Sequence, residues 1–193
     1  MIAEHIIYSI AIAILVGMLY FHYTGRDHSW IIILCAWAPD IDLLVNPVLN
    51  RLGFTLLYNG HRITHGDFHN IAMMVIFGIL MAFLLHPFGI KFFDGFFFSV
   101  IGFGAHLFED ALVYKVGYPF LWPLTSKVLG LGLLTEMQSE EFYIRNFFGI
   151  ANTGVLITGL IFLSATIIIR TYFEGKTWIQ WYMPNWLYLK FFN

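Results

Sequence analysis

Charge is the scarcest property of this sequence. Lys, Arg, Asp and Glu together make up 11% of its 193 residues, against about 25% in an ordinary soluble domain. Too few charged groups remain to clothe a surface that faces water. Nor does the balance lean basic, with ten Lys and Arg against twelve Asp and Glu and a net charge of −2. That argues against a nucleic-acid partner, which selects for a basic patch. The single Cys35 rules out an intramolecular disulfide and a cysteine-rich zinc site. Also missing are the compositions of collagen, disordered chains and coiled coils. No serine elbow, Walker loop or dinucleotide-binding glycine pattern is present. What fills the chain is apolar: 59% hydrophobic and 19% aromatic residues, with a mean hydropathy of +0.75. Lipid is the expected solvent, and residues 1–193 give room for a single domain.

A spanning helix needs about 20 mostly apolar residues. Five runs meet this, at 6–23, 29–46, 70–85, 92–114 and 146–169. They predict an all-α, polytopic membrane protein of about five transmembrane helices. The first run is expected to be retained, because Glu4 and His5 precede it, no Lys or Arg does, and no small-x-small cleavage site follows. If the spans alternate, one face receives His5, Asp40, Asp42, the stretch 61–69, His106 and Asp110. The other receives His22, Asp27, His28, His86 and Asp94. A re-entrant second run would separate His5 from the rest of its set. Lys and Arg fall equally on the two faces (Arg51, Arg62, Lys115, Lys127 and Arg145 against Arg26, Lys91, Arg170, Lys176 and Lys190), so the positive-inside rule sets no orientation. The stretch 115–145 is expected to form a short amphipathic helix or a cap over the His/Asp face. Trp178, Trp181, Tyr182, Trp186 and Tyr188 mark 176–193 as an interfacial anchor.

An ionisable group inside a span costs about 2.5–3.5 kcal/mol on insertion scales, so each such group points to function. Asp40 and Asp42 follow Pro39, which has no N–H and loosens a helix. On a regular helix these two acids would point about 200° apart, whereas an irregular turn could aim both into one cavity. His61, His65 and His69 are spaced to share one helical face, although Gly66 and Asp67 leave a turn between them equally open. Arg62 suits the grip of a phosphate or carboxylate. His106 and Asp110, four apart, share a face, while Glu109 points elsewhere, either solvated or serving as a base. His22, His28, His86 and Cys35 read as ordinary interfacial or packing residues.

Imidazoles and hard oxygens gathered at a lipid–water boundary suit one or two divalent ions, zinc first, with manganese or iron also accommodated. The expected chemistry is metal-assisted hydrolysis of an amphiphilic small-molecule substrate among membrane lipids. Asp40, Asp42, His65, His106 and Asp110 are the preferred ligands, with His5, His61 and His69 as further candidates. Asp42, Arg62 and Glu109 are the candidate catalytic residues. A transporter using the same ligands is the alternative, but ligands clustered at one face fit alternating access near the midplane less well.

Several of these pieces also occur together in a known order. Glu4-His5, Pro39-Asp40-Ile41-Asp42, His61-Arg62-Ile63-Thr64-His65, His106 to Asp110, and Gly117-Tyr118-Pro119-Phe120-Leu121-Trp122-Pro123 resemble the inner-membrane-bound, metal-dependent hydrolases over about residues 4–123. The resemblance implies a multi-span inner-membrane protein with His/Asp metal ligands and hydrolase activity. The family pattern His-Arg-Gly-x-Thr-His-Ser sets its histidines five apart, whereas His61 and His65 are four apart. Either His65 or His69 could therefore take the second position. A weaker likeness of His106-x3-Asp110 to zinc-dependent phospholipase C implies phosphoester substrates.

Overall fold

In lipid every backbone polar group must be satisfied within its own segment, so long apolar runs close into helices. The computed structural model describes residues 2–54, 57–58, 61–62, 65–134, 143–146 and 149–192. Its helices are α1 (Ile2–Thr24), α2 (Trp30–Cys35), α3 (Asp42–Arg51), α4 (Ile71–Leu85), α5 (Phe92–Val113), α6 (Thr153–Glu174) and α7 (Asn185–Phe192). Two antiparallel ribbons pair β1 (Leu57–Tyr58) with β2 (His61–Arg62), and β3 (Tyr143–Asn146) with β4 (Gly149–Asn152).

Among the described residues, four helices are long and apolar enough to cross a bilayer: Glu4–Thr24, Ile71–Phe88, Phe92–Val113 and Gly154–Glu174. The helical, multi-span architecture is as the sequence predicts, but the run at 29–46 is no single span. It breaks into α2, a 3-10 turn at Ala38–Asp40 holding Pro39, and α3 with Pro47 inside it. The apolar stretch Trp30–Asp40 would rise only about 16 Å as a helix, half of a bilayer's hydrocarbon core.

The helices interlock through small residues, which let backbones approach closely in lipid. A Cβ on Gly159 of α6 would meet the Tyr8 ring of α1 at 2.8 Å, and one on Gly102 of α5 would meet Ile32 O of α2 at 2.7 Å. α1 and α6 run parallel, tied by Tyr8 Oη to Thr158 Oγ1 at 2.6 Å near their starts. Ile14 O accepts from an Arg170 guanidinium N–H at 3.3 Å further along. α5 runs antiparallel to α1, with Glu109 beside His5 at one end and Tyr20 Oη donating to Asp94 at 2.7 Å at the other. Between the two ends sits an apolar core of Ala13, Ile31, Ile32, Cys35 and Phe98. Despite its break, the second segment climbs along α5 and delivers Asp40 to the face where α1 begins.

The described part of 115–145 forms no helix. Residues 115–134 make a looped cap pinned by a bridge between Tyr118 and Leu129. Its glycines and prolines explain this: a Cβ on Gly130 would sit 3.0 Å from Gly117 N, and Pro119 and Pro123 cannot donate to a helix. At the opposite face Arg170, fully buried, pairs with Asp27 at 2.7 Å. Ser29 and Tyr182 complete that network, and Trp178 lies under the guanidinium at 5.3 Å. The aromatic tail is thus fastened to the helix ends on that face.

Candidate metal centre

The site begins with a proline. Pro39 has no N–H to offer Ala36 O, and Asp40 N is turned to Trp37 O at 3.1 Å. Ala36 O, left without a backbone donor, accepts instead from His106 Nδ1 at 2.8 Å. His106 can reach it because Gly102, one turn earlier on the same face of α5, lets α2 pack against the helix. A carbonyl only accepts, so Nδ1 carries the proton, and in that tautomer Nε2 presents a bare lone pair.

That lone pair faces other acceptors. Asp40 Oδ1 lies 3.4 Å from His106 Nε2 and Asp110 Oδ2 lies 3.6 Å from it. His69 Nε2 stands 3.4 Å from each of the same two oxygens. His106 Nε2 is buried and finds no hydrogen-bond partner among the described residues. His5 completes the cluster: its ring stacks on His106 at 3.8 Å, and its Nε2 is 3.9 Å from Asp110 Oδ1. Two overlapping sets of donor atoms result, His5–Asp40–His106 and His69–His106–Asp110, each with all members within 4.8 Å of one another. Lone pairs converging in a buried space repel unless a cation lies between them, and two carboxylates with three imidazoles match a divalent ion's donor preferences.

Each donor is held from behind. Glu109 bonds His5 Nδ1 and fixes the direction of its other nitrogen. Asn70 caps α4 by accepting from Met73 N at 3.0 Å, and its amide donates to Asp67 O at 2.8 Å, which sets the chain direction just after His69. The Tyr118 ring lies 4.2 Å from the His69 ring.

Of the residues expected from sequence, His5, Asp40, His69, His106 and Asp110 are brought together. Glu109 is not solvated: it is fully buried and turned to α1, where it holds His5. The extended helical face at 61–69 is not formed, because His61 and Arg62 lie in β2 and His65 opens a 3-10 turn at His65–Phe68. The side chains of Asp42, His61, Arg62 and His65 lie outside the described residues. Sequence reasoning missed the carbonyl of Ala36, the cap of Asn70 and the ring of Tyr118. The first had a signal, a proline three positions downstream, and the second follows from an Asn just ahead of an apolar run.

Fold and site together define a multi-pass helical membrane protein with a buried His/Asp cluster at one membrane face. The chain belongs to the YdjM inner membrane protein family, whose model matches residues 1–183. No curated protein and no solved structure matches it, phospholipase C included. Family and four spanning helices make it a multi-pass protein of the inner membrane.

Proposed function

We propose that the protein is a metal-dependent hydrolase acting on an amphiphilic phosphoester at the membrane surface. The reading is carried by the locked tautomer of His106, whose buried Nε2 lone pair faces Asp40 and Asp110. His5, Asp40, His69, His106 and Asp110 would hold one divalent ion or two, zinc before manganese or iron. Such an ion polarises a phosphoryl oxygen and acidifies bound water. Glu109 acts through His5, as a carboxylate behind a ligating imidazole keeps its tautomer and raises its basicity. Arg62 and Asp42, carried by β2 and the start of α3, are assigned to the substrate's anionic group and to its water.

The donors sit in the first turn of α1, at the end of the second segment, before α4 and in the last two turns of α5, all at one end of the helix bundle, where a headgroup could reach them. The apolar core of Ala13, Ile31, Ile32 and Phe98 lies between this cluster and the Arg170–Asp27 network at the other face. That separation supports an enzyme over a carrier, whose ligands belong near midplane.

Elemental analysis of purified protein, paired with a phosphoester and phospholipid turnover panel, tests the reading. Stoichiometric metal is expected, and H106A and D40A should lose it together with turnover. Folded protein that binds no divalent metal would sink the proposal.

A further inference from the structure

Beside the His/Asp cluster lies a cavity of about 470 Å³, within the range of about 300–1,000 Å³ usual for ligand pockets. α4 contributes Ile71 and Met74, α5 contributes Gly104, Leu107 and Ala111, and Phe120 of the cap forms its wall. None of the described side chains around it can form a hydrogen bond. Its rim, at Phe108, Leu121 and Leu131, is exposed and lies against two bilayer-spanning helices, so hydrocarbon is what it meets.

Its position relative to the cluster is set by helix geometry. Leu107 and Ala111 each follow a cluster residue, His106 and Asp110, by one position. Neighbouring positions are about 100° apart around a helix and 1.5 Å apart along it. The cavity and the cluster are therefore adjacent faces of the same two turns, at the same depth. The partition between them is aromatic: Tyr118 lies on His69 at 4.2 Å, and Phe120, a wall of the cavity, meets Tyr118 edge-on at 5.8 Å.

We propose that this cavity binds an acyl chain of the membrane phospholipid whose phosphoester is presented to the cluster, so that Gly104 and Ala111 set the chain length accepted. The proposal rests on the phosphoester reading above and names its substrate as a lipid held by its tail. Gly104 is the sensitive point, because a Cβ there would meet only Met74 Sδ, at 3.4 Å. A larger side chain at that position extends into the cavity beside Met74, whose flexible end is the one contact it meets.

The test uses full-length protein in nanodiscs with phosphatidylglycerol carrying a photoreactive diazirine at the end of one acyl chain. Cross-links are expected on the peptides holding Met74, Phe108 and Leu131, and they should fall about tenfold in G104L and in A111L. Displacing about two methylenes from an apolar site predicts a loss of that size. In turnover assays the same variants should raise KM for long-chain substrates by a similar factor and leave a short, water-soluble phosphoester unaffected. Should either variant fail to fold, the other and the wild-type cross-link map still decide the matter. Labelling spread evenly over the lipid-facing surface of α4, unchanged by either variant, overturns the acyl site even if hydrolysis is observed. Labelling confined to the cavity without hydrolysis of any ester overturns the hydrolase and leaves the lipid site standing.

Discussion

At the scale of single residues, Pro39 does more for the cluster than its apolar ring suggests. Its missing N–H is what leaves Ala36 O to His106. A Pro39→Ala variant restores a donor three residues after that carbonyl and favours the helix. The expected outcome is unchanged or higher helicity by circular dichroism, with zinc affinity lowered about tenfold in competition with a chelator, the lower bound for disturbing a ligand's outer partner. Glu109→Gln should weaken metal binding by about 10–100-fold while the protein elutes as folded wild type does. The spacing of His106 and Asp110 was legible because i and i+4 share a helical face. The place of Glu109 behind His5 was not, since it depends on α1, which approaches from a distant part of the sequence.

Among the elements, the long spans could be read from hydropathy alone, because a bilayer leaves an apolar 20-mer little choice but a helix. The second run defeated that logic. Pro39 marked where it could loosen, but hydropathy alone did not show that it divides the run, nor that Gly102 gives the fragment a bed on α5. For 115–134 the sequence left a helix and a cap both open, and the structure takes the cap, for which Gly117, Pro119, Pro123 and Gly130 carried the signal. The joint between α6 and the 25–29 loop makes its own prediction. Arg170→Ala strands Asp27 as an unpaired buried charge, which typically costs about 3–5 kcal/mol. Thermal unfolding in detergent should show a clear fall in Tm, and the double variant R170M/D27N should recover most of it, because no charge then remains buried.

Across the whole molecule, the cluster joins the first turn of α1, the end of the second segment, the entrance to α4 and the end of α5. An ion held there cross-links four parts of the chain that are otherwise joined by packing and a few hydrogen bonds. Whatever binds the folded state alone stabilises it in proportion to its occupancy, about 2.7 kcal/mol at 100 times Kd. Treatment with a chelator should therefore lower Tm, and added zinc should restore it, whereas magnesium should do so poorly because its site demands near-octahedral oxygen ligands. An unchanged Tm on metal removal and return would count against a cluster that bridges these elements.

The ion pair of Arg170 and Asp27 also has a bearing on biogenesis. α6 carries Arg170 to a fully buried position in its last turns, and a charge that cannot reach water there opposes insertion of the helix unless it is paired. Its counter-charge lies 143 residues earlier, in the turn after α1. α6, synthesised after α1, thus depends on α1 and the turn behind it having already been placed. Insertion of α6 by the translocon should be more efficient when residues 1–29 have gone in before it, which makes the order of synthesis part of the fold.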